Sequence, residues 1–128
     1  MTDLDAVKAR TDRIVDELAP RLVEASHRIH DQPELGFEEH FAHDVLTGVL
    51  SDAGLAVTKG AYGLATAFEA TAGVDGPVIA VLCEYDALPG IGHACGHNVI
   101  GTAGVGAGIA AAAVAEELGG RLVVLGTP

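Results

Sequence analysis

A chain of 128 residues with 49% hydrophobic content is long enough for one compact domain with a sizeable core. Seven basic residues against eighteen acidic ones give a formal net charge of -11, which opposes binding to phosphate backbones and anionic lipid and excludes nucleic acid and membrane as expected partners. Two cysteines do not make a disulfide scaffold, and the acidic opening Met1-Thr2-Asp3-Leu4-Asp5 lacks the apolar stretch of a secretory signal, so reduced thiols and a cytoplasmic location are expected.

In chain order, Leu4, Val7, Thr11, Ile14, Leu18, Leu22, Ala25 and Ile29 recur at intervals of three and four and predict a helix with one apolar face. Pro20 either kinks it or opens a second helix. After a break over Asp31 to Gly36, a further helix is expected from near Phe37, with Phe41, Ala42, Val45, Leu46, Val49 and Leu50 on one face and Gly54 as its stop. Leu55 to Thr58 and Leu64 to Ala70 read as strands about a Gly-containing turn. Val78 to Cys83 is a continuous apolar run, the pattern of a strand buried on both faces. Val99 to Ala115 is uncharged but mostly Ala and Gly, which favours a buried helix over a membrane span; Asn98 is placed as its cap. Arg121 to Leu125 reads as a last buried strand. The fold class is α/β: two helices, strands, a Gly/Ala-rich helix and a strand, with no internal repeat or linker. Four glycines in that helix, at 101, 104, 106 and 108, each cost about 1 kcal/mol relative to Ala, and close packing on the sheet is the expected compensation.

Chemistry concentrates in one stretch. His93, Cys95 and His97 alternate with Ala94 and Gly96, just after the carboxylates Glu84 and Asp86 at the end of an apolar strand. Thiolate and imidazole are soft donors that can share one zinc-type ion or bridge two. From spacing alone, metal binding and a plain Gly-rich loop are equally supported, and Cys95 as a nucleophile is a weaker third reading because no orienting group is evident. Glu84 and Asp86, two apart, share a side if the chain stays extended, and could ligate metal or orient a ligand histidine. Pro89-Gly90-Ile91-Gly92 can fold the two groups toward one cavity. Cys83 reads as core, and His27, His30, His40 and His43 as helix-face residues.

Three segments in order, His27-Arg28-Ile29-His30-Asp31-Gln32-Pro33-Glu34-Leu35-Gly36-Phe37-Glu38-Glu39, Cys83-Glu84-Tyr85-Asp86-Ala87-Leu88-Pro89 and Gly92-His93-Ala94-Cys95-Gly96-His97-Asn98, resemble the aminoacylase and carboxypeptidase family of metallopeptidases. The similarity is to its amidohydrolase subfamily, which includes hippurate hydrolase-like, aminoacylase-like and aminobenzoyl-glutamate hydrolase-like enzymes. It implies the N-terminal part of an α/β/α catalytic domain and cleavage of the amide bond of N-acyl amino acids, small dipeptides or aminoacyl conjugates. Two divalent ions, zinc or manganese, are implied for the full-length enzyme, with a small-molecule amide substrate and a homodimer.

By the same resemblance Cys95 and His97 are metal ligands, and Asp86 is the catalytic-site aspartate that orients a ligand. Glu84 stands where other branches carry a metal-binding histidine. In the family the strand matching Arg121 to Leu125 runs into a Glu-Glu pair that supplies the general base and a further ligand. That pair, later ligand histidines and the small dimerisation domain are not among residues 1–128, so this stretch is expected to act only within a longer chain. The alternative is a non-catalytic truncated fragment that binds metal or a partner.

Overall fold

The computed structural model describes residues 1–128. Helix α1 spans Leu4–Asp31, its N-terminus capped by Asp3, whose carboxylate accepts the N–H groups of Asp5 and Ala6. It runs through Pro20 without ending, so the second-helix alternative is not realised. An interior proline costs about 3 kcal/mol. Burial of Val7, Ala25 and Ile29, with Ile14, Leu18 and Leu22 packed against the core, offsets that cost.

Helix α2 covers His40–Asp52, and strands β1 (Ala56–Lys59), β2 (Phe68–Gly73) and β3 (Val78–Glu84) follow. Helix α3 (His97–Ala115) then leads to β4 (Arg121–Thr127). The sheet order is β1-β2-β4-β3, antiparallel except for the β3/β4 pair, where Val81 lies beside Val124. A single core cluster joins the three helices to one face of the sheet through Phe68, Cys83, Tyr85, Leu122 and Val124.

Several expected boundaries move, each for a visible reason. β2 starts at Phe68 rather than Leu64 because Ala67 C=O accepts the N–H groups of Gly60 and Ala61, which holds the preceding residues in a turn. β3 is not buried on both faces. It is the outermost strand and its outer face is bare, leaving Val78 60% and Leu82 57% exposed. β4 alternates buried and half-buried residues and continues two residues past Leu125. Asn98 does not cap α3. The cap is Gly96, in the left-handed region at φ 76°, while Asn98 is buried as the second residue of the helix and donates to Ser26 Oγ at 3.0 Å, tying α3 to α1.

α3 is the one helix long and apolar enough to cross a membrane, with a mean hydropathy of 1.6, but 61% of that window is buried within the protein. Its glycines explain the burial. A Cβ on Gly101 would lie 2.9 Å from Glu84 O, and one on Gly104 2.7 Å from Cys83 Sγ. Backbone thus meets backbone where α3 crosses the end of β3, as the glycine pattern implied. The crossing also sets the first residue of α3 beside the last residue of β3.

Candidate metal centre

The backbone leaves β3 at Glu84 and continues through Tyr85 to Asp86. Tyr85 turns inward, fully buried, stacked on Phe68 at 5.8 Å between centroids, with its hydroxyl donating to Thr66 C=O. Burial, then the charges of Glu39 and Cys83, push its phenol upward. With Tyr85 pinned, the two flanking carboxylates share the other side of the chain, as their spacing implied. Both meet one residue, His97.

Asp86 Oδ1 lies 2.6 Å from His97 Nδ1, and Glu84 Oε2 lies 3.2 Å from His97 Nε2. A carboxylate only accepts hydrogen bonds, so in the neutral ring the short contact puts the proton on Nδ1. Nε2, which makes no aligned hydrogen bond with Glu84, is left as the lone-pair nitrogen. Carboxylate–imidazole pairs of this kind are found behind metal ligands that bind through the remote nitrogen. The pair arises here because Gly96 turns the chain left-handed, its N–H bonded to His93 C=O at 3.0 Å, so that α3 begins at His97.

The rest of the loop is unevenly placed. The Cys95 thiol is exposed and free, next to Gly96 and His97. His93 has both ring nitrogens buried without a hydrogen-bond partner, and its ring sits 6.4 Å from that of His30. Burial first, then the neighbouring His30, holds its imidazole below the ordinary range, so it is neutral at pH 7. Neutral imidazole is the ligating form. Leu88 and Gly92 exchange backbone hydrogen bonds of 2.9 and 3.1 Å, so Pro89 to Ile91 form a closed turn that brings His93 back toward Asp86.

Thiol, imidazole and carboxylate donors on one loop suit a divalent zinc- or manganese-type ion. No three His, Cys, Asp or Glu side chains converge as a ready-made cage. The donor set fits the ion in chemistry and is partial in number.

The segment Pro33 to Glu39 lies against this centre, although its residues show no local pattern that marks a role. Ala87 N–H donates to Glu34 C=O at 2.7 Å. The Glu34 carboxylate accepts Phe41 N–H and Ala42 N–H at 3.0 and 2.9 Å, capping α2 from outside the helix; this is why α2 begins at His40 and not near Phe37. Phe37 itself has φ 68° in a turn closed by Glu38 N–H to Leu35 C=O. Left-handed backbone costs a non-glycine residue about 1–2 kcal/mol. His43, expected on a helix face, is instead 5% exposed, with Nε2 3.2 Å from Ala67 O. Contacts between residues far apart in sequence carry no local signal, so only the motif resemblance pointed toward this segment.

The domain is α/β, with carboxylates at the end of β3 beside an imidazole-thiol loop at the start of α3, and its structural neighbours include a metallopeptidase. Solved structures with this fold include the YXEP protein of Bacillus subtilis, described as a dinuclear metal-binding peptidase of the M20 family. It is 26% identical with a TM-score of 0.78, over 88% of this chain and 36% of that one. The aminobenzoyl-glutamate utilization protein of Klebsiella pneumoniae shares the fold at 18% identity, with a TM-score of 0.70 over 93% of this chain and 38% of that one. Among curated proteins, the mouse Xaa-Arg dipeptidase is 40% identical over 98% of this chain and 32% of its own length. One of the subunits of the Escherichia coli p-aminobenzoyl-glutamate hydrolase is 36% identical over 90% of this chain and 26% of its own length. No family model matches the chain. The chain spans about a third or less of the curated relatives it matches. Its homologues are a dipeptidase and an aminobenzoyl-glutamate hydrolase and its structural neighbours include an M20 peptidase, so the chain is similar to the N-terminal part of an amidohydrolase of the aminoacylase and carboxypeptidase type.

Proposed function

We propose that residues 1–128 form the N-terminal part of the metal-dependent catalytic domain of an amidohydrolase, which cleaves small amide substrates as part of a longer chain. The substrate class is N-acyl amino acids, small dipeptides or aminoacyl conjugates. The observation that carries the reading is His97, held at Nδ1 by Asp86 with Nε2 turned toward Glu84, two residues from an exposed thiol. Cys95 and His97 are the metal ligands in this reading, and Asp86 is the residue that orients His97. Glu84 is placed to take part in the same ion's shell.

Two divalent ions, zinc or manganese, supply Lewis-acid polarisation of the scissile carbonyl and a lowered pKa for the attacking water. The chain's own residues hold the geometry: Asp86 fixes the tautomer and orientation of His97, Tyr85 anchors the strand end, and Gly101 allows α3 to approach it. The remaining ligands and the general base are supplied by the rest of the longer chain. Names of relatives suggest two substrates to try first, dipeptides ending in arginine and p-aminobenzoyl-glutamate.

The test is hydrolysis by the full-length protein, stripped with a chelator and reloaded with zinc or manganese, against a panel of N-acyl amino acids, Xaa-Arg dipeptides and p-aminobenzoyl-glutamate. Metal-dependent release of the free amino acid supports the reading, and no turnover of any panel member with either metal overturns it.

A further inference from the structure

Glu39 is fully buried, at 0% exposure, and one of its carboxylate oxygens, Oε2, is buried with no hydrogen-bond partner. Its other oxygen accepts Phe37 N–H at 2.6 Å. That bond fastens the left-handed turn containing Phe37. Gly36, the preceding residue, sits between two carboxylates: a Cβ built there would lie 3.7 Å from Glu39 Oε1 and 3.9 Å from Asp86 Oδ2. On the same segment Glu34 C=O takes the N–H of Ala87, the residue after Asp86.

A buried acid with one bare oxygen is an unfavourable way to hold a turn when a neutral acceptor could serve. The turn it holds is also left-handed at a phenylalanine. Such unfavourable features persist where the surroundings over-determine them, and here they back directly onto Asp86. We propose that Glu39 is a positioning residue for the Asp86–His97 pair: by clamping the Gly36–Phe37 turn against Asp86 it fixes the carboxylate that orients His97. Glu39 acts through Asp86 and touches neither substrate nor metal. The link to metal affinity rests on the amidohydrolase reading, whereas the link to the Asp86–His97 hydrogen bond does not.

The experiment is proton–nitrogen NMR of the full chain labelled with 15N-histidine, following the Nδ1 proton of His97, assigned by its loss in His97→Gln, together with calorimetric titration by zinc. Glu39→Ala is expected to shift or broaden that proton signal and to weaken zinc binding about 10- to 100-fold, the usual consequence of losing a residue behind a metal ligand. Glu39→Gln, which keeps an oxygen acceptor for Phe37 N–H, is expected to recover part of both. Gly36→Val, which leaves Glu39 in place but wedges volume between the two carboxylates, is expected to reproduce the alanine result. A folded Glu39→Ala with the wild-type His97 signal overturns the proposal. If that variant does not fold, wild-type signals in both Glu39→Gln and Gly36→Val overturn it. Failure of the wild-type protein to bind zinc overturns the amidohydrolase reading instead, and the His97 signal still decides the role of Glu39.

Discussion

Asp86 Oδ1 and His97 Nδ1 lie 2.6 Å apart, joining the end of β3 to the start of α3. The two residues are eleven apart in sequence and meet because the helix crosses the strand end at glycine. Everything assigned to the site depends on that meeting.

Replacing Asp86 by Ala frees the His97 ring to rotate and removes the acceptor that selects its tautomer. Zinc affinity of the full protein is expected to fall by about 10- to 100-fold, with little change in the unfolding midpoint, because Asp86 is only part-buried. Calorimetric titration paired with urea unfolding measures both. An unchanged zinc affinity would show that Asp86 does not orient a ligand.

Gly104→Ala and Gly48→Ala should act in opposite directions although both lie in helices. The new methyl at 104 would meet Cys83 Sγ at 2.7 Å, whereas nothing lies within 4 Å of one at 48. Overpacking costs about 1–3 kcal/mol, more than the roughly 1 kcal/mol gained by removing a helical glycine. Urea denaturation is expected to show Gly104→Ala destabilised and Gly48→Ala stabilised.

The same difference between local and distant contacts decides what was legible in the sequence. The apolar periods of α1 and α2, the order of the elements and the close packing implied by the α3 glycines were legible, because each rests on local spacing. The pairing of Glu84 and Asp86 on one side followed from strand geometry alone. What stayed hidden depends on distant partners: Glu34 caps α2 from six residues ahead of it, Asn98 bonds Ser26 on α1 instead of capping its own helix, and Glu39 disappears into the interior from a segment that reads as a polar break. β3 reads as doubly buried from its continuous apolar run, yet it is the edge strand and its outer face is open.

The two thiols should separate cleanly by reactivity. Cys95 is exposed, and Cys83 is buried against α3. One equivalent of an aromatic disulfide reagent is expected to react promptly at pH 8 with the native protein, and a second only on unfolding. Cys95→Ser should remove the fast equivalent, and a fast phase that survives it contradicts the assignment.

Burial pushes the Cys83 thiol up from 9.0 to about 12. Above pH 9 the unfolded chain therefore ionises at this position while the folded one does not, so the stabilisation is complete below about pH 9 and is lost as pH rises toward 12. The loss approaches about 1.4 kcal/mol per pH unit within that window. Tyr85, also pushed up by burial, adds to the fall from about pH 10. Cys83→Ala should flatten the part of the urea-stability profile between about pH 9 and 10, where tyrosine contributes little.

Whether Cys95 and His97 hold a divalent ion is decided by zinc-edge X-ray absorption of the zinc-loaded full-length protein. A sulfur scatterer at about 2.3 Å and an imidazole nitrogen at about 2.0 Å are expected, with the sulfur shell lost in Cys95→Ser and the imidazole signal reduced in His97→Ala. A shell of nitrogen and oxygen alone, identical in the wild type and in Cys95→Ser, contradicts the ligand assignment.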